Sequence, residues 1–310
     1  MMLSTQGLSK SYGAVIALDG LSVDLEPGIV GLVGANGAGK STLIKILLGL
    51  LPATSGRASV LDLDVATDGS SIRQRVGYMP EHDCLPPDVS ATELVLHLAR
   101  MSGLPMAAAR QRTADTLRHV GLYEERYRSI GGYSTGMKQR VKLAQALVHD
   151  PGMVMLDEPT NGLDPQGRDQ MLALLRRVGT DFGIPMLVTS HLLGELEQIC
   201  DHVVVIDGGR LLRSSSTADV TSASRVIAVE VDGSVEELAG ALVRAGLQVH
   251  PAGRQVEVEL VDDTTYDVVR DAVVTLGLGL RRMERRRHRM AEIFRADPSL
   301  EERVDDVAAT

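Results

Sequence analysis

The sequence has no tryptophan, and aromatic residues make up only 3% of its 310 residues. Aliphatic side chains therefore have to supply most of the packing in a core. Only two cysteines occur, Cys84 and Cys200, and they lie too far apart in the sequence to form a close metal-binding pair. The simplest interpretation is two reduced thiols in a cytosolic protein.

A long apolar run is also missing, because no stretch approaches the roughly 20 uninterrupted apolar residues that span a bilayer. The most apolar segment, Leu43 to Leu51, is short and contains Lys45, which favours a packed helix. Met1 to Gly7 lacks the basic segment leading into an apolar one that is typical of a signal peptide. The sequence predicts a protein that neither crosses a membrane nor is exported, so a transport path would belong to a partner.

Acidic residues exceed basic ones, and the formal net charge of -9 provides no overall attraction to nucleic acid or anionic lipid. We therefore expect no nucleic-acid partner. A local exception is an arginine cluster that comprises Arg281, Arg282, Arg285, Arg286, Arg287 and Arg289. It contains no aromatic residues that could stack on bases, so a solvated face or a contact with an acidic partner is favoured over lipid or nucleic acid.

Turn signals and apolar runs divide the sequence into segments of different secondary structure. Short strands separated by turns are predicted from Leu3 to Val33, and helices follow in an insert where Ser90 and Glu93 form a predicted capping box. After Pro151, strands and helices alternate as a parallel sheet requires. Beyond residue 225, the order of elements predicts a βαββαβ sandwich.

These segments predict a first α/β domain with a helical insert, then a polar linker, a small α+β domain and an acidic tail. The linker is predicted from its small polar residues, such as Ser214 to Thr217. The predicted bounds are 1–213 with the insert at about 88–148, then 214–224, 225–295 and 296–310.

The segment Gly34 to Ser41 lies between a predicted strand and a predicted helix, Thr42 to Leu48. Two glycines flank four residues and are followed by a lysine and a hydroxyl residue, which is the pattern of a phosphate-binding loop. Lys40 is expected to reach the β and γ phosphates, and Ser41 to bind magnesium. The loop by itself fits an ATPase, a kinase or a GTPase. The predicted nucleotide-binding residues are Gly34, Asn36, Gly37, Ala38, Gly39, Lys40, Ser41 and Thr42.

Downstream, an apolar run from Met153 to Leu156 ends in two carboxylates, Asp157 and Glu158. This pattern is typical of a buried strand that carries acids at its carboxyl end. Asp157 is then expected to hold magnesium through a water molecule, and Glu158 to act as the general base that activates the attacking water. A strand that ends in a solvated acid pair is the alternative.

Together with these motifs, three further segments make the sequence resemble the ABC ATPases over Leu3 to Leu212. Tyr133 to Met137 is similar to the signature loop of that family, Lys138 to Val148 to the helix after it, and Thr160 to Asp164 to the loop that crosses between subunits. His191 follows a predicted strand, as the switch histidine of the family does.

This resemblance implies a P-loop ABC-type ATPase fold, with an antiparallel β subdomain, a mixed parallel core sheet and a helical insert. It implies a head-to-tail dimer, expected to be a homodimer, in which each ATP contacts the phosphate loop of one subunit and Ser134 and Gly136 of the other.

The resemblance also assigns roles to single residues. The implied catalytic residues are Glu158 and His191. Tyr12 is expected to stack on adenine, Asp164 to contact the nucleotide, and Ser41, Asp157 and Glu81 to hold Mg²⁺.

The resemblance also implies a separate polytopic permease, so the chain would be cytoplasmic and peripheral on the inner face of the cell membrane. Glu81 stands where the family usually has glutamine, and Tyr133, Thr135 and Met137 replace its commonest Leu, Gly and Gln. The segment that begins at Tyr133 is similar to bacterial export ATPases. The C-terminal unit ending in Met290 to Phe294 resembles a module of drug-export ATPases. Export is therefore the expected direction of transport.

Two other functions remain open from the sequence: a soluble ABC ATPase of DNA repair or translation, and a catalytically idle interaction module. Repair ATPases carry long coiled-coil inserts and translation factors carry two ATPase units, and the sequence shows neither. The idle module is disfavoured because Lys40, Asp157, Glu158 and His191 are all present.

Overall fold

The computed structural model describes residues 1–216, 226–253, 255–262 and 264–285. The chain forms two compact units, whose described parts are residues 1–216 and 226–285. Within the described residues, no helix combines the length and the apolar composition needed to cross a bilayer.

The first unit contains ten strands and seven α-helices among its described residues. Its strands are β1 (Leu3–Tyr12), β2 (Val15–Leu25), β3 (Ile29–Val33), β4 (Ser55–Val60), β5 (Leu63–Asp64), β6 (Val76–Met79), β7 (Met153–Leu156), β8 (Met186–Ser190), β9 (His202–Asp207) and β10 (Arg210–Ser216). Its helices are α1 (Lys40–Leu47), α2 (Gly69–Arg75), α3 (Ala91–Met101), α4 (Met106–His119), α5 (Thr135–Leu147), α6 (Pro165–Asp181) and α7 (Leu193–Leu196).

Two sheets share the core of this unit. The first is antiparallel, with the strand order β2-β1-β4-β5, and its β1 and β2 are long rather than short, at 10 and 11 residues. Both strands continue past the turn signals because they pair with each other along almost their whole length. The turn signals inside them did not predict this pairing. An apolar cluster joins this sheet to α1 and to the second sheet through residues such as Leu8, Ile44, Leu32 and Met155.

The second sheet places the candidate functional residues. Its strand order is β10-β9-β3-β8-β7-β6, and all its pairs are parallel except β10 with β9. Every residue of β3, β7 and β8 is buried, as expected for parallel strands that are covered on both faces. The carboxyl ends of these three neighbouring strands therefore meet at one edge of the sheet.

A helical region lies between β6 and β7 and comprises α3, α4, a 3₁₀ turn at Ile130–Gly132 and α5. The predicted capping box at its start is confirmed. Ser90 Oγ accepts a hydrogen bond from the backbone N–H of Glu93 at 3.2 Å, and a Glu93 carboxylate oxygen accepts one from the N–H of Ser90 at 2.8 Å.

The predicted linker begins too early, because β10 continues to Ser216. Ser214, Ser215 and Ser216 pair with Val204, Val203 and His202 of β9. Backbone hydrogen bonds to β9 hold these small polar residues in an edge strand. Their composition alone therefore wrongly predicts a linker. Residues 217–224 of the predicted linker lie outside the described residues.

The described residues of the second unit form two helices packed on an antiparallel sheet with the strand order β12-β13-β11-β14. Its elements are β11 (Val226–Asp232), α8 (Val235–Arg244), β12 (Val249–Ala252), β13 (Gln255–Glu259), α9 (Thr264–Thr275) and β14 (Gly279–Arg285). This is the predicted βαββαβ order. Arg281 and Arg282 of the arginine cluster lie on β14 and pair with Asp232 and Glu284.

The remaining C-terminal predictions fall on undescribed residues. Arg286, Arg287 and Arg289, the Met290 to Phe294 motif and the acidic tail at 296–310 lie outside the part of the chain that the structure describes.

A glycine in β6 tests how tightly the helical region packs on the second sheet. A Cβ added at Gly77 would lie 1.9 Å from the carbonyl oxygen of Ala146 in α5. The Gly77→Ala variant is expected to lower the free energy of unfolding by about 3 kcal/mol, because the backbones of β6 and α5 must separate. Denaturant unfolding measures this loss. In the control, Gly132→Ala, the nearest atom is the end of the Arg128 side chain at 3.9 Å, and stability should hardly change; equal losses would contradict the packing.

Candidate active site

The phosphate loop runs from Gly34, at the carboxyl end of β3, to Gly39, before α1. Gly37 and Gly39 have φ angles of 85° and 103°, in the left-handed region that favours glycine. A Cβ at Gly34 would lie 2.5 Å from the carbonyl oxygen of Ile206, and one at Gly39 would lie 2.4 Å from that of Ala17. Only glycine fits at these two positions, so the loop can follow a ligand closely with its backbone.

Helix α1 begins at Lys40, two residues before the predicted start, so Lys40, Ser41 and Thr42 form its first turn. The first N–H groups of a helix lack intrahelical acceptors. None of the described side chains caps this helix end. These donors and the positive end of the helix dipole suit a polyphosphate.

Lys40 connects the loop to the acidic end of β7. Its side chain is 7% exposed, and its Nζ donates hydrogen bonds to the carbonyl oxygens of Gly34 at 2.6 Å and Ala35 at 3.3 Å. The same Nζ lies 3.2 Å from Oε1 of Glu158, whose side chain is 6% exposed. This oxygen makes no hydrogen bond within the described residues, so the contact with Lys40 is an ion pair. The two predicted residues therefore face the same point, Lys40 from the start of α1 and Glu158 from the loop after β7.

The two predicted catalytic residues, Glu158 and His191, also contact each other and are called the hydrolytic pair below; the sequence predicted a γ-phosphate contact for His191 and did not predict this one. Nδ1 of His191, directly after β8, lies 2.9 Å from Oε2 of Glu158. Because an ionised carboxylate only accepts hydrogen bonds, Nδ1 is the donor in this contact. Glu158 has a φ of 51°, which is uncommon for a residue other than glycine and is a conformation that clusters at functional sites.

Thr189 is a site residue that the sequence analysis missed. Its hydroxyl accepts a hydrogen bond from the backbone N–H of Glu158 at 2.9 Å and donates one to Oδ1 of Asp157 at 2.8 Å. It is fully buried on β8, next to β7. A polar residue near the end of an otherwise apolar strand was the available signal, but its partners depend on strand order.

The segment after β6 faces α5. Oε1 of Glu81 accepts a hydrogen bond from Nδ2 of Asn161 at 3.3 Å, and the Glu81 carbonyl accepts one from Nζ of Lys142 at 2.8 Å. Burial lowers the pKa of Lys142, and burial together with the Asp157 carboxylate raises the pKa of Tyr78 to about 12. Tyr78 therefore stays uncharged beside Asp157. The structure brings Glu81 to Asn161, in the loop after Glu158.

The predicted magnesium ligands include two acids, Asp157 and Glu81, and the hydroxyl of Ser41. No group of three or more His, Cys, Asp or Glu side chains in the described residues is arranged to hold a metal ion. Magnesium usually binds through one or two carboxylates together with phosphate oxygens and water, so carboxylates and a hydroxyl are donors of the type that it accepts.

The signature loop lies apart from the phosphate loop. Ser134 caps α5 and its Oγ accepts a hydrogen bond from the N–H of Met137 at 3.3 Å, so the helix begins at Thr135 and not at Lys138 as predicted. Helix α5 packs on β6, which is three strands from β3, or about 14 Å at the usual spacing. Ser134 and Gly136 thus belong to a different part of the surface from Lys40.

The two other predicted nucleotide contacts lie on different elements. Tyr12 ends β1 with 49% of its surface exposed, and Nζ of Lys10 lies 5.2 Å from the centre of its ring. Asp164 caps α6, and its Oδ1 accepts a hydrogen bond from the N–H of Gly167 at 3.0 Å. The residues that the structure gathers at one point are therefore Lys40, Glu158 and His191.

Comparison with known proteins identifies the family. The family model "ABC transporter" matches residues 18–161. The linearmycin resistance ATP-binding protein LnrL of Bacillus subtilis (strain 168) is 35% identical over 222 residues, which cover 71% of each chain. The daunorubicin/doxorubicin resistance ATP-binding protein DrrA of Streptomyces peucetius is 36% identical over 221 residues, covering 71% of this chain and 67% of DrrA. The chain belongs to the ABC transporter family.

A solved structure of the same family agrees. The structure of cbiO1 from Clostridium perfringens, part of the ABC transporter complex cbiONQ, superposes with a TM-score of 0.65 and 27% identity. The match covers 72% of this chain and 91% of cbiO1. As an ATP-binding subunit of the ABC transporter family, the chain binds and hydrolyses ATP.

The Thr189 hydroxyl allows a test of how this ABC ATPase holds its acidic strand end. In the Thr189→Val variant, the N–H of Glu158 and an oxygen of Asp157 lose their partner inside the protein. We expect the free energy of unfolding to fall by about 2 kcal/mol, because unsatisfied buried polar groups are costly. Denaturant unfolding and the ATPase rate measure the effect. Thr189→Ser removes the methyl group but keeps the hydroxyl and is the control; a loss in Thr189→Val no larger than that in Thr189→Ser would contradict the importance of these hydrogen bonds.

Proposed function

We propose that this chain is the ATPase motor of an exporter, that it works as a head-to-tail homodimer, and that it drives a separate permease. The observation that carries the proposal is the convergence of the buried Lys40 and Glu158 with the partly exposed His191 at one edge of the sheet. A phosphate-binding lysine, a carboxylate and its histidine partner at one point are the groups that phosphoryl transfer to water requires.

Each residue has a role that follows from its contacts. Lys40 binds the β and γ phosphates together with the N–H groups of the loop and of α1. Glu158 accepts a proton from the attacking water, and His191 holds the Glu158 carboxylate through Nδ1. Ser41 and Asp157, with Glu81, would hold Mg²⁺, which would neutralise charge on the phosphates.

A second subunit completes the site. Ser134 and Gly136 lie at the N-terminal end of α5, about three strand spacings from the phosphate loop. The end of this helix offers backbone N–H groups and the positive end of a dipole, which suit a γ phosphate. In a head-to-tail dimer this end faces the ATP bound to the other subunit, and Tyr12 stacks on the adenine of its own subunit.

The direction of transport is supported by the relatives. Two of them are named as resistance ATP-binding proteins, for linearmycin and for daunorubicin/doxorubicin. Removal of a compound from the cell is the direction that gives resistance. The proposed partner is a polytopic permease that holds the chain at the inner face of the membrane and selects the substrate.

Capture of the tagged chain from detergent-solubilised membranes of its host tests the permease. A polytopic protein in a fixed ratio to the chain is expected. Ribosomal or DNA-bound partners, or no partner, would instead favour a soluble ABC ATPase that acts in translation or repair. The Lys40→Ala variant, captured in parallel, shows whether the association requires nucleotide.

The Glu158→Gln variant tests the general base and the dimer together. Glutamine keeps the size of the side chain but cannot take a proton, so hydrolysis should slow by at least about 100-fold while ATP still binds. Bound ATP then persists, and gel filtration with ATP should show a stable dimer. The exposed Glu26→Gln serves as the control. Normal hydrolysis by Glu158→Gln would remove Glu158 from the role of base.

The Lys40→Ala variant tests the phosphate loop. Loss of the ammonium group should weaken ATP binding at least about tenfold, because charge-assisted contacts to phosphate are strong. Lys45→Ala is the matched control, since Lys45 lies exposed on the same helix. Because Lys40→Ala also leaves Glu158 buried without its cation, the melting temperature of both variants has to be compared first. Unchanged affinity in a folded Lys40→Ala protein would contradict the assignment.

A further inference from the structure

A second buried carboxylate, that of Glu195, lies close to the hydrolytic pair and has no role in the scheme above. Glu195 is on the short helix α7, directly after the loop that carries His191, and is 9% exposed. Burial of a carboxylate is costly unless it is paired or hydrogen-bonded. Its partners therefore indicate why it is there.

One carboxylate oxygen of Glu195 joins the loop after β7 to the end of β8. Oε2 accepts a hydrogen bond from the hydroxyl of Thr160 at 2.6 Å and another from the hydroxyl of Ser190 at 3.2 Å. Thr160 is 5% exposed and Ser190 is 1% exposed, so both bonds are shielded from water. Shielding strengthens them and makes the loss of either partner expensive.

Both partners are sequence neighbours of the hydrolytic pair. Thr160 is two residues after Glu158, and Ser190 immediately precedes His191. Since His191 itself binds Glu158, the contacts form a closed ring through Glu158, His191, Ser190, Glu195 and Thr160. A shift of either loop is therefore transmitted to the other through Glu195.

The other carboxylate oxygen faces α6. Oε1 of Glu195 has no hydrogen bond within the described residues and lies 3.8 Å from Nη1 of Arg168, which is an electrostatic contact. Nε of Arg168 donates a hydrogen bond to the carbonyl oxygen of Leu163 at 3.1 Å. Leu163 belongs to the segment Thr160 to Asp164, so Glu195 contacts this segment directly at its start and through Arg168 near its end.

The same segment also contacts α5, the signature helix, which begins within the signature loop. Nε2 of Gln139 on α5 donates a hydrogen bond to the carbonyl oxygen of Asn161 at 3.0 Å. A Cβ at Gly162 would lie 3.4 Å from Cγ2 of Thr135, at the start of that helix. The segment is thus held between α5 on one side and Glu195 on the other.

We propose that Glu195 is a positioning residue that couples the loop of His191 to the Thr160 to Asp164 segment. It sets the orientation of the Glu158 and His191 pair and, at the same time, that of a segment expected to meet the second subunit. This inference rests on the proposed function, because the second subunit is itself part of that proposal. The ring of contacts predicts that hydrolysis and dimer formation both depend on Glu195, whereas binding of ATP by the phosphate loop does not.

The test compares Glu195→Leu, Thr160→Val and the double variant in ATPase assays. Leucine removes the acceptor while it keeps an apolar volume in a buried site, and valine removes the donor at the other end of the same bond. For Glu195→Leu we expect kcat to fall at least about tenfold while KM for ATP changes less than about threefold, since the phosphate contacts remain. The double variant should be no worse than Glu195→Leu, because the two residues act through one bond.

Two control variants separate positioning from stability. Leu196→Ala, one residue further along α7, removes a fully buried side chain that packs near Gly31, and it should lower the melting temperature without lowering kcat. Glu195→Gln keeps an oxygen that can accept both hydroxyl bonds, so it should recover most of the rate lost in Glu195→Leu. If Glu195→Leu does not fold, the conservative Thr160→Val variant measures the same bond.

Dimer formation is measured in the Glu158→Gln background, where added Glu195→Leu should weaken the ATP-dependent dimer at least about tenfold. Unchanged kcat and dimer affinity in a folded Glu195→Leu protein would overturn the coupling while the proposed function stands. Fully additive effects of Thr160→Val and Glu195→Leu would also overturn it. An unmodified chain without ATPase activity, or a Glu158→Gln chain that never dimerises, would overturn the proposed function and this inference with it.

Discussion

The buried ion pair between Lys40 and Glu158 joins two segments that are far apart in the sequence, and the geometry of the site depends on it. Each charge is largely removed from water, so each needs the other nearby. This requirement is met here because β3 and β7 lie in the same sheet with parallel directions and their carboxyl ends at one edge. The strand between them, β8, then necessarily delivers Thr189 and His191 to the same place. One electrostatic constraint thus relates the phosphate loop, the acids and the histidine.

Strain and hydrogen bonding at Glu158 follow from the same arrangement. A left-handed φ at a glutamate is unfavourable, and it persists where surrounding contacts determine the conformation. The Thr189 hydroxyl accepts a hydrogen bond from the backbone N–H of Glu158, and Lys40 and His191 contact its two carboxylate oxygens. Two residues further along the chain, Thr160 donates a hydrogen bond to Glu195. The base is therefore oriented by contacts with other elements before substrate binds.

The unusual residues of the sequence fit this framework. Glu81, in place of the family's glutamine, uses a carboxylate oxygen as the acceptor for Asn161, and a glutamine oxygen could accept the same bond. Asn161 in turn accepts a bond from Gln139 of the signature helix through its carbonyl oxygen. The segment after β6, the loop after Glu158 and α5 are thus connected within one subunit. This provides a physical route between the site of hydrolysis and the parts that the resemblance assigns to partner contacts.

The sequence by itself determined the motifs and the class of the protein. The spacing of Gly34 to Ser41 and the apolar run before Asp157 are local patterns, and strands and helices of this kind follow from neighbouring residues alone. Element ends were less accurate: α1 and α5 begin earlier than predicted, and Ser214 to Ser216 join a strand, because caps and strand pairing depend on partners. Only the tertiary structure decided that Thr189, Glu195 and Ser190 surround the hydrolytic pair. Their roles come from strand order and burial, which bring together residues whose own local patterns indicate no more than polar positions beside a buried strand.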